Sequence, residues 1–556
     1  MARASLTAAA AVILCGLLSP AALADNAIQR ENALPGTTAW QTRIGGRVDL
    51  YASPISTAPG QDVALHVSTP DQYRLNVYRL GWYGGTGARL VACLPACDAN
   101  EQGVPQAQRQ GLGAGAAGWS VTDVLHTGAD WTSGYYLVEA VLAHGGTATA
   151  FFVLHDSFDA PASQIVVQVP VNTWQAYNTW GGASLYNFLG QRSTAISFDR
   201  PLGRFAQSPM WWEIQLVRFL EREGYDVSYQ TDVDTDTNPA SLLRHRLVIV
   251  AGHDEYWSSA MRDGFDAALA GGTNLAFLGS NDGYWNLRYA DDRHTIISAK
   301  SLYDPNPVLS QKTAMFREIG RPECMLMGVQ HIFFAPIPQM LNYVVPVAAA
   351  GDPWFANTGF QAGDTVVGVV GREHDILNPF PDSCIHQGLS VLFHYDGGGV
   401  DQNGDAVRFT APSGARVFAS GAQQFSWGLD DWRSDGSLFP EPPVEPWRGV
   451  PVDPRLQQFM RNALDDLTRP APPANPSVRV VGDRVRVTVG PNSDPRLLGF
   501  GAFVRGGGRW VRVCAGIVTC VGSAPPGLGA FRVAVITFDI WHRHSAGAFV
   551  VLQRHA

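Results

Sequence analysis

Apolar and polar residues alternate with a period of two along the first third of the chain, and unbroken apolar runs replace them in the middle. From Ile28 to about Ser157 short alternating runs (VDLYAS, DVALHVST, YRLNVYRLGWYGG, WTSGYYLVEAVL, TATAFFVL) are separated by turn residues. That pattern predicts an antiparallel β-sandwich of immunoglobulin-like type, with its last two strands at Gly134 to Leu142 and Thr147 to Leu154. Asp156 to Ser163 reads as the linker out of it.

Gln164 to Pro170 (QIVVQVP) then reads as a buried strand. Trp211 to Glu223 reads as a helix with apolar residues at Trp212, Leu216, Phe219 and Leu220, stopped by Gly224 at a C′ position. Strands at Tyr225 to Gln230, Leu247 to Ala251 and Thr273 to Gly279, with a helix over Ser258 to Leu269, continue the alternation. This is an α/β plus β chain whose central domain is doubly wound, of flavodoxin or glutamine-amidotransferase type. A 2-1-3-4 strand order would reverse the chain between the first and third strands, so the loops after Val169 and Ala251 would flank one crevice. Beyond Trp285 the pattern predicts strands at Asp364 to Val370, Gly388 to Tyr395 and Ala415 to Ala419, and a closing helix over Leu456 to Leu467. Pro470 to Pro476 (PAPPANP) is a stiff linker, and the alternating runs after it predict a small C-terminal β-sandwich. The expected domains are 25–157, 158–469 and 477–556, joined by the linker at 470–476.

Composition narrows the class. At 556 residues the chain exceeds one core, and 46% hydrophobic with 16% charged residues is ordinary for a globular protein. A net charge of −9 with no basic block argues against nucleic acid as a partner. Met1 to Ala24 carries Arg3, an apolar stretch from Ala8 to Leu18, and Ala22-Leu23-Ala24 before Asp25: a cleavable export signal, too short for a membrane anchor. The mature chain is expected to be periplasmic or secreted, and a homo-oligomer is compatible with it. Six cysteines remain, and an even count in an oxidising compartment favours disulfides. Cys93–Cys97 and Cys514–Cys520 are the simplest local pairs, leaving Cys324 and Cys384.

Three loops after predicted parallel strands are polar where a plain turn would do: Asn172 to Asn187, His253-Asp254-Glu255, and Ser280-Asn281-Asp282. Separate strands aiming polar groups at one rim is how a site is assembled. Plainer readings stand beside it. Asp254 or Glu255 would also serve as a helix cap, His253 as a satisfied loop histidine, and Asn281 as a left-handed turn residue. Trp174, Tyr177 and Trp180 would also serve as core or sugar-stacking aromatics. The chain has no G-x-S-x-G elbow, no phosphate-binding G-x-x-x-x-G-K-[ST] loop and no H-E-x-x-H, and no cysteine follows a strand of the α/β domain.

QAYNTWGGASLYNF, SFDRP at Ser197 to Pro201, GHDEYWS and NLAFLGSNDGYWNLRY, in that order, resemble the C-terminal region of the large (beta) subunit of N,N-dimethylformamidase and its relatives. GWYGG and WTSGYY resemble the segment before it. The similarity spans roughly Ile28 to Leu467. The resemblance implies a mononuclear ferric iron held by two tyrosines and a glutamate, hydrolysing a small amide. Carried over by motif, the metal ligands fall on Glu255, Tyr177 and Tyr136, with Tyr135 in its place if the register slips. His253 and Asn281 match active-site positions, and the further catalytic glutamate is assigned to Glu373 in GREHD. Phenolate and carboxylate are hard anionic oxygens suited to a hard trivalent ion. A tyrosine with an ordinary pKa of ~10 needs the cation's charge to stay ionised at neutral pH. The known enzyme also has a small subunit and acts inside the cell, whereas this chain carries an export signal and an extra terminal β-domain. The expectation is therefore a metal-dependent hydrolase of a small-molecule amide or related carbonyl compound. Two β-sandwiches and aromatic loops would also suit a non-catalytic carbohydrate- or surface-binding protein; the presence of all three candidate oxygen ligands favours the enzyme, and a structure in which Tyr136, Tyr177 and Glu255 do not converge would favour the binder.

Overall fold

The structure, a computed structural model, describes residues 25–97, 114–159, 163–187, 190–203, 206–335, 341–377, 384–433, 449–491, 494–506, 509–523 and 530–553. The export signal expected over Met1 to Ala24 lies outside them. The fold is mixed α/β, rich in strands and built from several sheets. Its described residues form two compact units, Asp25–Ala411 with Arg416–Ala463, and Leu464–Ala556 with Pro412–Ala415.

In the larger unit the alternating text forms two sheets. Three strands pair antiparallel, Asp49–Ser53 with Asp62–Ser68 and that with Asp123–His126. Five more run in the order Ser56–Thr57, Thr147–Leu154, Gly134–Leu142, Tyr73–Leu80, Ala88–Leu94. The strands at Gly134–Leu142 and Thr147–Leu154 have the expected bounds. Inward residues of both sheets, among them Leu50, Val63, Leu65, Val77, Val138 and Phe152, share one core. Period-two alternation puts every second side chain there, which is why the pattern is readable.

The apolar runs of the middle form a nine-stranded sheet. Its order is Val227–Thr231, Ile165–Val169, Leu247–Gly252, Asn274–Gly279, Arg416–Ala419, Gly404–Thr410, Ser390–Tyr395, Tyr343–Val344, Thr365–Val366. The first five are parallel and the rest antiparallel. Ile165–Val169, Leu247–Gly252 and Asn274–Gly279 are buried along their whole length, as strands covered on both faces must be. The second strand in the chain lies on one side of the first and the third on the other, so the loops after Val169 and Gly252 leave from adjacent strands with the reversal between them.

Two expected elements differ. The helix expected over Trp211 to Glu223 is two pieces, Pro209–Trp212 and Ile214–Arg222, because Glu213 adopts φ −111° and turns its carboxylate to Tyr135 and Trp174. The strand expected over Asp364 to Val370 shrinks to Thr365–Val366, since Gly368 and Gly371 take positive φ and break it. The helix expected over Leu456 to Leu467 spans Pro454–Leu467.

The smaller unit has a three-stranded sheet (Ser477–Val481, Arg484–Thr488, Thr519–Ser523) and a four-stranded one in the order Arg509–Gly516, Leu497–Gly506, Ala530–Asp539, Ala548–Gln553. Val478, Val485, Phe500, Val533 and Val550 are part of its core. All six described cysteines are bonded, as Cys93–Cys97, Cys324–Cys384 and Cys514–Cys520. Among the described residues no helix is long and apolar enough to cross a membrane.

Candidate active site

Parallel strands ending side by side create the site. At the ends of Leu247–Gly252 and Asn274–Gly279 a Cβ on Gly279 would sit 1.8 Å from the Gly252 carbonyl oxygen, so only glycine permits this approach. Gly252 turns the chain at φ +71° into His253-Asp254-Glu255, and Asn281 turns the neighbouring loop at φ +59°. The two loops are tied together: the Asp254 N–H donates to Asp282 Oδ1 at 2.8 Å and the Gly283 N–H to the Asp254 carbonyl at 2.7 Å. Ser258 caps the following helix Ser259–Ala270, which leaves Asp254 and Glu255 free of that duty.

The first-strand loop is drawn to the same place. It opens with a helix, Val171–Tyr177, whose Thr173 Oγ1 accepts the Glu255 N–H at 3.0 Å. That contact sets Tyr177, the last residue of the helix, against Glu255: Tyr177 Oη donates to Glu255 Oε2 at 2.8 Å. Tyr186, nine residues on, completes a triangle. Its Oη lies 2.9 Å from Tyr177 Oη and 2.9 and 2.8 Å from the two Glu255 oxygens. Trp285 Nε1 donates to Glu255 Oε1 at 2.9 Å.

Glu373 arrives from the strand Glu373–Ile376, pinned by Ser280 Oγ donating to the Glu373 carbonyl at 2.7 Å and by the Asn281 N–H donating to Asp375 Oδ1 at 2.9 Å. Its Oε2 accepts from Asn281 Nδ2 at 2.9 Å and lies 2.9 Å from His253 Nε2, which is itself 3.8 Å from Glu255 Oε2. The other imidazole nitrogen, Nδ1, is 2.7 Å from Gln207 Oε1. Tyr177, Glu255, His253, Asn281 and Glu373 therefore converge, and Asn281 is both a left-handed turn residue and a partner of Glu373.

Tyr136 is elsewhere. It stands on the inward face of Gly134–Leu142, in the core shared by the two N-terminal sheets. Its ring stacks on Trp131 at 5.3 Å and Phe152 at 5.1 Å, and its Oη donates to the Thr132 carbonyl at 2.7 Å. Tyr135, on the opposite face, donates to Glu213 Oε2 at 2.8 Å rather than to Glu255. Strand parity points one tyrosine into the N-terminal core and the other at Glu213, so neither reaches the cluster. The tyrosine that stands beside Tyr177 and Glu255 is instead Tyr186, which the sequence holds in the same polar loop, Asn172 to Asn187, that supplies Tyr177. Trp174 is a core residue, its Nε1 donating to Glu213 Oε1 at 2.9 Å.

Lys300 and Gln207 carry no signal of their own in the sequence, and Trp285 falls within the NLAFLGSNDGYWNLRY motif without being singled out in it. Lys300, held at φ +53°, donates from Nζ to Tyr256 Oη at 2.6 Å and lies 3.4 Å above the centre of the Tyr186 ring. Tyr256 in turn donates to Tyr186 Oη at 2.6 Å. Tyr177, Tyr186, Trp285 and Lys300 are partly exposed while His253, Glu255, Asn281 and Glu373 are buried, so solvent reaches the cluster from the aromatic side.

Burial and neighbouring charge set the protonation. Burial pushes the Tyr177 and Tyr186 phenols well above the ordinary tyrosine range, and the Glu255 carboxylate pushes them further. Without a cation they are neutral and serve as donors to Glu255. Burial opposes ionisation of Glu373, yet the imidazolium of His253 holds it down at about 2. Burial likewise lowers His253, but Glu373 overrides it and lifts the imidazole to about 9. The pair is ionic at neutral pH. Among the described residues no group of three or more His, Cys, Asp or Glu side chains could hold a metal ion, so a metal at this place would draw on phenol oxygens.

The family described as N,N-dimethylformamidase beta subunit-like, C-terminal, matches residues 74–437. No curated protein matches the chain. Solved structures match weakly. The Clostridium perfringens spore cortex lytic enzyme SleM is 17% identical over 15% of this chain and 29% of its own, with a TM-score of 0.13. The superoxide reductase (neelaredoxin) of Ignicoccus hospitalis is 13% identical over 20% of this chain and 81% of its own, also at 0.13. The Parabacteroides merdae β-glucuronidase is 8% identical over 91% and 65%, at 0.19. The chain spans less than a third of the first of these, and similarity at this level carries no inference about fold or activity.

Proposed function

The chain belongs to the N,N-dimethylformamidase beta subunit-like, C-terminal family, and from that premise we propose that it hydrolyses the C–N bond of a small amide at the Tyr177, Tyr186, Glu255 cluster with a ferric ion bound there. The observation that carries the reading is the triangle of oxygens. Tyr177 Oη, Tyr186 Oη and Glu255 Oε2 lie 2.8 to 2.9 Å apart. These are the three oxygens that would hold the ion. All three are hard oxygens, and replacing two phenol protons with a trivalent cation removes the reason those phenols stay neutral.

When bound, the ion would act as a Lewis acid on the amide carbonyl and lower the pKa of water. The chain's own residues do the rest. Trp285 orients the Glu255 carboxylate through its 2.9 Å hydrogen bond. Lys300, above the Tyr186 ring and bonded to Tyr256, adds positive charge that favours the ionised phenols. Glu373, kept as a carboxylate by His253 and Asn281, accepts the proton of the attacking water. His253, held between Gln207 and Glu373, sets its positive charge beside the charge developing on the carbonyl oxygen and, once Glu373 has taken up the proton of water, gives its Nε2 proton to the departing nitrogen.

We read the parallel strand order as doubly wound and flavodoxin-like, preceded by an immunoglobulin-like sandwich and followed by a small β-sandwich, in an exported chain. The test is ferric reconstitution of the purified protein. About one iron per chain with a visible tyrosinate charge-transfer band, both lost in Tyr177→Phe and Glu255→Ala, is the expected result. A colourless protein that takes up no iron would overturn the proposal.

A further inference from the structure

Residues 477–556 hold ten arginines, three aspartates and no lysine or glutamate, a net charge of +7 in a chain whose total is −9. The nine among the described residues fall into two kinds. Arg496 pairs with Asp494 at 2.6 Å and Arg543 with Asp465 at 3.0 Å, so both hold the fold. Arg479, Arg484, Arg486, Arg505, Arg509, Arg512 and Arg532 are all exposed, and among the described residues none of their side chains makes an ion pair or a hydrogen bond.

Strand register shows where they lie. Ser477 pairs with Thr488 and Thr488 with Thr519, which marks the linker side of the three-stranded sheet, while Arg484 pairs with Val481 and Ser523 at the far end. In the four-stranded sheet Phe500 pairs with Gly516 near the linker side and Gly506 with Arg509 at the far end. Arg505 sits at that end, and Arg532, near the start of Ala530–Asp539, shares it. Four arginines thus crown the end away from the linker. Arg479 and Arg486 stand directly opposite each other on the outer face beside it, an arrangement that costs stability and contributes nothing to packing. On the outer face of the other sheet Arg505 is opposite the half-exposed Trp510 and Arg512 opposite Phe503, and Trp510 packs on Phe549 at 5.8 Å.

We propose that this arginine-crowned end binds an acidic polysaccharide. Guanidinium forks match carboxylate and sulfate groups in two-point contact, and an indole face between them accepts the apolar face of a sugar ring. Two other polyanions fit less well. A bilayer would call for bulky apolar residues at the basic end, yet the large exposed Leu498 and Ile517 lie at the linker side and only the smaller valines Val511, Val521 and Val551 stand exposed among the arginines. Nucleic acid is scarce in the oxidising compartment that three disulfides point to. The surface lies on the smaller unit, so the proposal stands or falls independently of amide hydrolysis.

The experiment titrates the full-length protein with polygalacturonate, and in parallel with dextran, single-stranded oligodeoxythymidine and phosphatidylglycerol vesicles. Polygalacturonate should bind and dextran should not. With four charges neutralised, affinity should fall about fiftyfold between roughly 50 and 200 mM salt. The triple variant Arg484→Gln, Arg505→Gln, Arg532→Gln should lose at least about tenfold with its melting temperature kept; if it does not fold, the single variant Arg505→Gln should show a shallower salt slope. No binding to polygalacturonate, or binding unchanged in these variants, would overturn the proposal. So would tighter binding of the oligonucleotide or the vesicles.

Discussion

Replacing Tyr186 by phenylalanine should abolish iron binding, whereas the same change at Tyr136 should leave it intact. The two changes remove the same atom from different surroundings. At Tyr136 one 2.7 Å hydrogen bond to the Thr132 carbonyl is lost and the ring keeps its stacking on Trp131 and Phe152. One neutral hydrogen bond is worth about 1 kcal/mol, so a small fall in melting temperature is the whole expected effect. At Tyr186 the Oη within 3 Å of Glu255, Tyr177 and Tyr256 disappears. Glu255 keeps Tyr177 and Trp285 as donors and Tyr256 keeps Lys300, so the fold should lose only about 1–3 kcal/mol. The metal loses one of three protein ligands. Changing a residue that merely supports a ligand already costs about 10–100-fold in affinity, so loss of the ligand itself should exceed that. Metal analysis after ferric reconstitution and gel filtration, with the visible spectrum, reads the difference. Iron retained in Tyr186→Phe and lost in Tyr136→Phe would refute the assignment.

Three further outcomes follow from the packing. Gly279→Ala places a Cβ against the Gly252 carbonyl and must part the strands that carry His253 and Asn281. The variant should stay folded at a cost of about 1–3 kcal/mol and lose amide hydrolysis by about a hundredfold, and unchanged kinetics would contradict it. Burial lifts the Glu213 carboxyl to about 8 against the hydrogen bonds from Trp174 and Tyr135. The folded chain therefore keeps a proton that the unfolded chain releases near pH 4.5, and stability falls as pH rises from about 4.5 to 8, on the order of 1.4 kcal/mol per unit. Glu213→Gln should flatten the melting temperature between pH 5 and 8, and parallel profiles would count against it. Replacing Cys324 and Cys384 by serine opens a closure of 60 residues and should cost about 2–4 kcal/mol in urea unfolding, with an unchanged midpoint as the contrary result.

What could be read in the sequence depended on whether the local pattern decided the structure. Gly134–Leu142 and Leu247–Gly252 were legible because alternation and continuous burial leave direct marks. The helix Val171–Tyr177 was not, since Asn172, Thr173 and Asn178 favour turns and packing against Tyr256 and Glu255 overrides that preference. His253, Glu255 and Asn281 were legible as polar residues at the ends of buried strands. Tyr136 misled because two adjacent tyrosines on a strand point to opposite faces, and the motif alone does not say which loop closes on Glu255. Lys300 reaches Tyr186 from a loop whose course tertiary contacts determine, a relation with no local signature.

The most direct test is amine release from a panel of small amides, dimethylformamide among them, by the iron-loaded protein, beside Glu373→Gln loaded to the same iron content. The account predicts turnover by the first and a loss of at least about a hundredfold in the second, since the variant keeps the ligands and loses the proton acceptor together with the charge that keeps His253 protonated. Equal rates in both proteins, or no amine from any amide at full iron occupancy, would contradict it.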